Sequence, residues 1–309
     1  MSSIYSAPEK RILLRKDKIY QSKALRTVFG IVLLAAVIIW VAKEGILFSR
    51  ISFGLLLCST FAALTINFLN ASIIKVMVEV FKRDISYIDA LHISALGTFG
   101  NSAGGLPIGT TLKYVILYKQ SGLKIKETTT GLIIFTIAIS LFLLGYAAIS
   151  VWGMNLARTS KMIPSLLLAA STLVLVVLWK WLRKKNMGRQ LIQPFLDSRI
   201  FRRITLISFV TATLFILNYL VISLILFPEI PLASVVFIAS IGLLTGLASL
   251  LQTVGGIHEF SMGISAFIAG IKLIDGMQLA LSMRVASLLS SGMILVVFYF
   301  SPHVTKKLS

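Results

Sequence analysis

The sequence predicts an all-α polytopic membrane protein, and three observations carry that expectation. Hydrophobic residues make up 57% of the chain and charged residues only 13%, about half the charged fraction of a soluble domain. Apolar runs repeatedly reach the roughly 20 residues that a helix needs to cross a hydrocarbon core. The basic residues gather in the short connections between those runs, where positive charge held on the cytoplasmic side sets orientation. That placement assigns the net charge of +19 to topology, with attraction of anionic lipids as a consequence. No nucleic-acid partner is expected.

The order of elements follows from the apolar runs and the charges between them. Residues 1–24 form a basic cytoplasmic segment, 25–300 a single membrane domain with halves 25–151 and 163–300, and 301–309 a cytoplasmic tail. Leu25–Phe48, which follows the basic segment and lacks a small-x-small cleavage site, reads as a signal anchor. Further spans are expected near Ile51–Phe81, Thr128–Val151, Ile163–Leu182, Ile204–Phe227 and Met277–Phe300. Lys82, Arg83, Lys113, Lys119, Lys124, Lys126 and the basic residues from Lys180 to Arg203 fall inside; Lys43, Arg50, Arg158, Lys161 and Lys272 fall outside. Trp40, Trp152, Trp179 and Trp181 sit near span ends, where amphipathic rings meet the headgroups. Cys58 lies alone in an apolar run and reads as a small buried residue.

Two stretches break the pattern. Gly97 to Thr111 carries five glycines, Asn101 and Pro107 between flanks that are both basic. The roughly 29 residues from Ile85 to Lys113 are too few for two complete crossings at 1.5 Å per residue, so a re-entrant hairpin is expected. Ser249 to Gly263, containing Gly255, Gly256 and Glu259, is a second break, flanked by Glu229 and Lys272 on the opposite side. Non-helical backbone at membrane depth survives only where protein or a polar cavity satisfies it. Ile51 to Ile204 is 153 residues, Gly104 to Gly255 is 151, and Thr128 to Met277 is 149. The arrangement therefore reads as about six full spans plus two broken hairpins in an inverted repeat, a transporter architecture. The alternative is eight full spans plus one re-entrant hairpin, because 232–271 is long enough for two nearly complete crossings.

The site expected from this pattern is a polar cavity lined by Asn101, Gly104, Gly105, Pro107, Lys113, Gly255, Gly256, Glu259 and Arg284. An ionisable residue within a span is costly and faces a cavity or a partner, which singles out Glu259 and Arg284. Entry of a helix near the surface is the plainer reading of Glu259, and snorkelling that of Arg284. Lys75 and Glu79, spaced i,i+4, read as a local ion pair. Gln190–Arg203 mixes apolar and basic positions around Pro194 and reads either as an interfacial segment or as a solvated loop.

No cofactor, metal or enzymatic activity is expected. Gly104–Thr111 lacks the lysine of a phosphate loop, and Met262 stands where the second histidine of a His-Glu-x-x-His site belongs. His92, His258 and His303 are too scattered for a metal cluster.

Asn101, Leu106-Pro107 and Gly109 in the first hairpin, Gly255-Gly256 with Glu259 in the second, and Arg284 in the last span together resemble the membrane region of lysyl-phosphatidylglycerol synthases and related stand-alone integral membrane proteins. After Leu106-Pro107 this chain carries Ile108, Gly109, Thr110 and Lys113, where that family commonly has Arg-x-Gly-Glu and a downstream arginine. The resemblance implies a flippase-like module in a bacterial or archaeal plasma membrane, with both termini cytoplasmic and membrane lipids, chiefly anionic ones, as partners. The expected function is translocation of a polar or anionic lipid or lipid-linked glycan between leaflets. The alternative is a non-transporting accessory subunit of an envelope synthase or glycosyltransferase.

Overall fold

The computed structural model describes residues 53–104, 108–154, 191–248 and 257–300, with isolated positions between 162 and 180. Among the described residues the chain is all-helical, with eight α-helices and no strand. They are α1 (Phe53–Val80), α2 (Tyr87–Gly104), α3 (Ile108–Ser121), α4 (Ile125–Gly153), α5 (Ser198–Leu226), α6 (Leu232–Ala248), α7 (Ile257–Ile268) and α8 (Leu273–Phe300). Four of them, α1, α4, α5 and α8, are long and apolar enough to cross a membrane. They correspond to four of the expected spans. The span expected at Leu25–Phe48 lies outside the described residues, and that at Ile163–Leu182 is described only at scattered helical positions.

Helix ends are fixed by local chemistry. Ser86 and Asp89 form a reciprocal cap at the start of α2: the Asp89 N–H donates to Ser86 Oγ at 3.0 Å, and Ser86 Oγ donates to Asp89 Oδ2 at 2.6 Å. Glu127 Oε2 accepts the Lys124 N–H at 2.8 Å at the start of α4. Asp197 Oδ1 accepts from the Arg199 and Ile200 N–H groups at the start of α5. Helix α7 ends at Ile268 and is closed off at Gly270, φ 78°, with Gly270 N–H donating to Phe267 O and Ile271 N–H to Ala266 O. This paired closure needs a left-handed residue, which glycine adopts without steric cost.

Lengths set what each helix can span. The long helices have 28 or 29 residues, more than a roughly 30 Å core requires. Helices α2, α3, α6 and α7 have 18, 14, 17 and 12, or about 27, 21, 26 and 18 Å. The described chain thus repeats one order, long, short, short, long. The described parts of its short helices run to Gly104 and Ala248 and from Ile108 and Ile257; Gly105, Pro107, Gly255 and Gly256 lie outside the described residues. The first hairpin is longer than expected. Helix α3 runs on to Ser121, so Lys113 lies within it and does not close it.

Packing follows membrane logic. Helix α1 packs on α2 and α5, α4 on α5 and α6, α2 on α3, and α6 on α7. The faces turned inward carry small and polar residues: Ser208, Thr211, Ala212, Asn218 and Ser223 on α5 are buried, whereas Leu206, Phe209, Leu217 and Leu224 are exposed. Lipid tails are as apolar as leucine, so helix contacts come from close packing and hydrogen bonds; Ile204, Ile216, Tyr219 and Ile222 of α5 are buried beside the small residues. Trp152 at the end of α4 is 84% exposed, as an interfacial ring should be.

Three side-chain expectations need correction. Cys58 is exposed, not buried, because it shares the outer face of α1 with Leu57 and Phe61. Glu79 pairs with Arg203 at 2.8 Å and not with Lys75, since the end of α1 packs against the start of α5. The Gln190–Arg203 stretch is not a plain solvated loop. Phe195 is buried in a 3-10 turn, Gln193–Leu196, with its ring edge-on to Phe81 at 5.5 Å.

Candidate functional site

The two broken hairpins position the candidate residues differently. In the first, α2 and α3 meet through glycine. A Cβ on Gly109 would collide with the Gly97 carbonyl oxygen and with Asn101 N, so the backbones touch here. The Lys113 side chain lies along Gly97 one turn further on. Asn101 is taken up by the hairpin itself: its Oδ1 accepts the Thr110 N–H at 3.0 Å, and its Nδ2 donates to Thr110 Oγ1 at 3.3 Å. Thr110 is the third residue of α3, so Asn101 satisfies a donor that no intrahelical carbonyl can reach. Gly104 is the last residue of α2; Gly105 and Pro107 lie outside the described residues.

The second hairpin carries the charged site. Gly276 sits against the Met262 carbonyl and Ala266, and Gly263 against Leu273 and Met277, so α7 and α8 run close together. Two turns beyond Gly276, Arg284 reaches Glu259, the third residue of α7. The Arg284 Nε to Glu259 Oε1 distance is 2.8 Å, and Nη2 donates to Oε2 at 3.2 Å. The side chains are only 17% and 9% exposed. Oε1 keeps this close charge contact without receiving an aligned hydrogen bond. The carboxylate also sits in the first turn of α7, where the unpaired N–H groups favour negative charge. Glu259 therefore stands in the first turn of α7 and is buried with a fixed partner. Arg284 turns toward Glu259. Gly255 and Gly256 lie outside the described residues.

Around the pair stand groups that sequence reasoning missed or set aside. His258 Nε2 lies 3.1 Å from the Tyr219 hydroxyl on α5. Asn218, beside it and 1% exposed, donates from Nδ2 to the Ser59 carbonyl of α1 at 3.4 Å and to Met283 Sδ of α8 at 3.0 Å. Asn218 Oδ1, Ser223 Oγ and Thr60 Oγ1 are buried without a hydrogen bond among the described residues. Asn218 thus ties α5 to α1 and α8, and Tyr219 ties α5 to α7. Among the described residues, no hydrogen bond or ion pair joins Asn101 or Lys113 to Glu259 or Arg284.

The chain matches no protein-family model, no curated protein and no solved structure.

A signal for Asn218 was present in the sequence. Ile66-Asn67-Phe68-Leu69 and Leu217-Asn218-Tyr219-Leu220 stand 151 residues apart, the spacing that separates Gly104 from Gly255. Asn67 is likewise buried and cross-links three helices, donating to Ser290 Oγ at 3.1 Å and accepting from Ser94 Oγ at 3.5 Å. Asparagine repeated at the same register of two long apolar helices marks an interior polar position.

Proposed function

We propose that this chain moves a polar or anionic lipid, or a lipid-linked glycan, between the leaflets of its membrane. The observation that carries the reading is the buried Glu259–Arg284 pair that joins α7 to α8. Arg284 lies about 16 Å along α8 from Leu273, near the middle of a roughly 30 Å hydrocarbon core. A guanidinium at that depth supplies the fork that a phosphate or carboxylate headgroup requires.

The architecture supports the same reading. Helices α2 and α3 form a hairpin dipping from inside and α6 and α7 one dipping from outside, the second half being the first turned over. The shared 151-residue register of Asn67 with Asn218 and of Gly104 with Gly255 supports an inverted repeat. In both hairpins a long unbranched side chain of the returning helix lies on a glycine of the outgoing one, Lys113 on Gly97 and Met262 on Gly242. The resemblance to the membrane region of lysyl-phosphatidylglycerol synthases points the same way, with termini inside and the plasma membrane as location.

Topology is tested by labelling. In a Cys58→Ser background, Lys119→Cys should react only from inside, and Glu229→Cys only from outside. Labelling of position 119 from outside would remove the re-entrant assignment of α2 and α3. Function is tested in proteoliposomes, by following headgroup accessibility of labelled anionic, zwitterionic and glycan-linked lipids. Faster exchange of at least one class over protein-free vesicles is expected. No exchange of any class would favour the accessory-subunit reading, in which the chain copurifies with an envelope synthase or glycosyltransferase.

A further inference from the structure

Arg284 already holds an anion. Its fork is occupied by Glu259, with both nitrogen–oxygen contacts made and both side chains largely buried. A substrate anion cannot take the guanidinium without displacing that carboxylate. The other titratable groups facing Glu259 among the described residues are His258 beside it and Tyr219 across from it on α5, and these two already bond each other. Among the described residues, a displaced Glu259 therefore has no second cation to move to.

We propose that Glu259 is the built-in surrogate for an anionic lipid headgroup, and that the headgroup and one proton enter and leave the site together. The inference rests on the translocation reading and narrows its substrate to lipids with a singly charged phosphate diester or carboxylate. Charge balance carries it. In the resting site Arg284 is positive and Glu259 negative, for a sum of zero. When the headgroup binds Arg284, an unpaired buried carboxylate is costly as the anion, and it takes a proton from the water that admits the lipid. The loaded site then holds a cation, an anion and a neutral acid, again summing to zero. On release of the lipid, Glu259 gives its proton to water on the exit side and closes on Arg284 again. No net charge crosses with either the loaded or the empty site, so transport couples to a pH gradient and not to voltage.

The experiment uses the full chain in phosphatidylcholine vesicles with a trace of headgroup-accessible, fluorescent phosphatidylglycerol. An imposed pH gradient should drive the labelled lipid from the leaflet on the acidic side to the other, while a potassium–valinomycin potential leaves the rate unchanged. Labelled phosphatidylcholine should not respond. Glu259→Gln removes the competitor and should retain about tenfold more phosphatidylglycerol through purification, as expected for a freed charge-assisted pair, while losing gradient-driven movement. Arg284→Gln should retain none above background. The double Glu259→Gln/Arg284→Gln variant restores a neutral pair; it should fold like the parent yet neither retain the anion nor respond to the gradient. Equal retention by parent and Glu259→Gln overturns the proposal, as does voltage-driven exchange. Loss of the pH response in His258→Gln with its persistence in Glu259→Gln would overturn it by placing the proton on the histidine. Exchange of phosphatidylcholine at the same rate as phosphatidylglycerol, without a pH response, would sink this inference and leave translocation standing. Absence of all exchange would sink translocation, and the retention comparison would still decide whether Glu259 guards an anion site.

Discussion

Arg284→Gln alone should destabilise the protein by about 3–5 kcal/mol, the usual consequence of leaving one member of a buried ion pair without its partner. The loss comes less from the missing attraction than from the carboxylate left behind, since Glu259 is 7% exposed. Glu259→Gln alone should have a comparable effect, because it strands the guanidinium. The double variant, with two neutral amides in place of two charges, should unfold close to the parent, within about 1 kcal/mol. Thermal or denaturant unfolding in detergent, followed by helical content across the four proteins, yields the coupling as a double-mutant cycle. Additive losses would mean that the contact is incidental, and the site would then lose its main structural support. Glu79–Arg203 provides the contrast. Its side chains are 34% and 48% exposed, and exposed pairs of that kind contribute about 0–1 kcal/mol.

The same contrast explains what was legible in the sequence. Spans α1, α4, α5 and α8 could be read because apolar length is a local property. Glu259 and Arg284 could each be singled out, since a charge inside an apolar run has no inexpensive environment. Their pairing could not, because it depends on how closely α7 and α8 approach through Gly263 and Gly276. The Glu79 partner was misread for a related reason. An i,i+4 lysine is visible in sequence, whereas Arg203 reaches Glu79 only after α1 and α5 pack. Asn101 illustrates a third limit. A polar residue at a chain break suggests a lining group, but the structure has its oxygen capping α3 through Thr110, which explains the residue without a ligand. Asn218 was within reach of sequence reasoning, through its repeat with Asn67, had polar positions been compared at the 151-residue spacing.

Gly109→Ala and Gly145→Ala should change stability in opposite directions although both are helical glycines in apolar surroundings. Alanine stabilises an open helix position by about 1 kcal/mol relative to glycine. At Gly145 no heavy atom lies within 4 Å of the added methyl, so that gain should be realised. At Gly109 the methyl would meet the Gly97 carbonyl and the Asn101 backbone nitrogen. Neither is the far end of a flexible chain, so α2 and α3 must move apart. Overpacking of this kind costs about 1–3 kcal/mol, occasionally more. Separation would also pull Thr110 from Asn101, which leaves an N–H at the start of α3 without its acceptor and adds about 1–3 kcal/mol. Gly131 is not an equivalent control, because Met77 of α1 lies against it. The measurement is unfolding in detergent together with cysteine accessibility at position 119, which lies in the last turn of α3. A destabilised Gly109→Ala with unaltered accessibility would localise the damage to the helix contact. Equal tolerance of alanine at 109 and 145 would mean that α2 and α3 are not in backbone contact, and the glycines of the first hairpin would then need an explanation other than close packing.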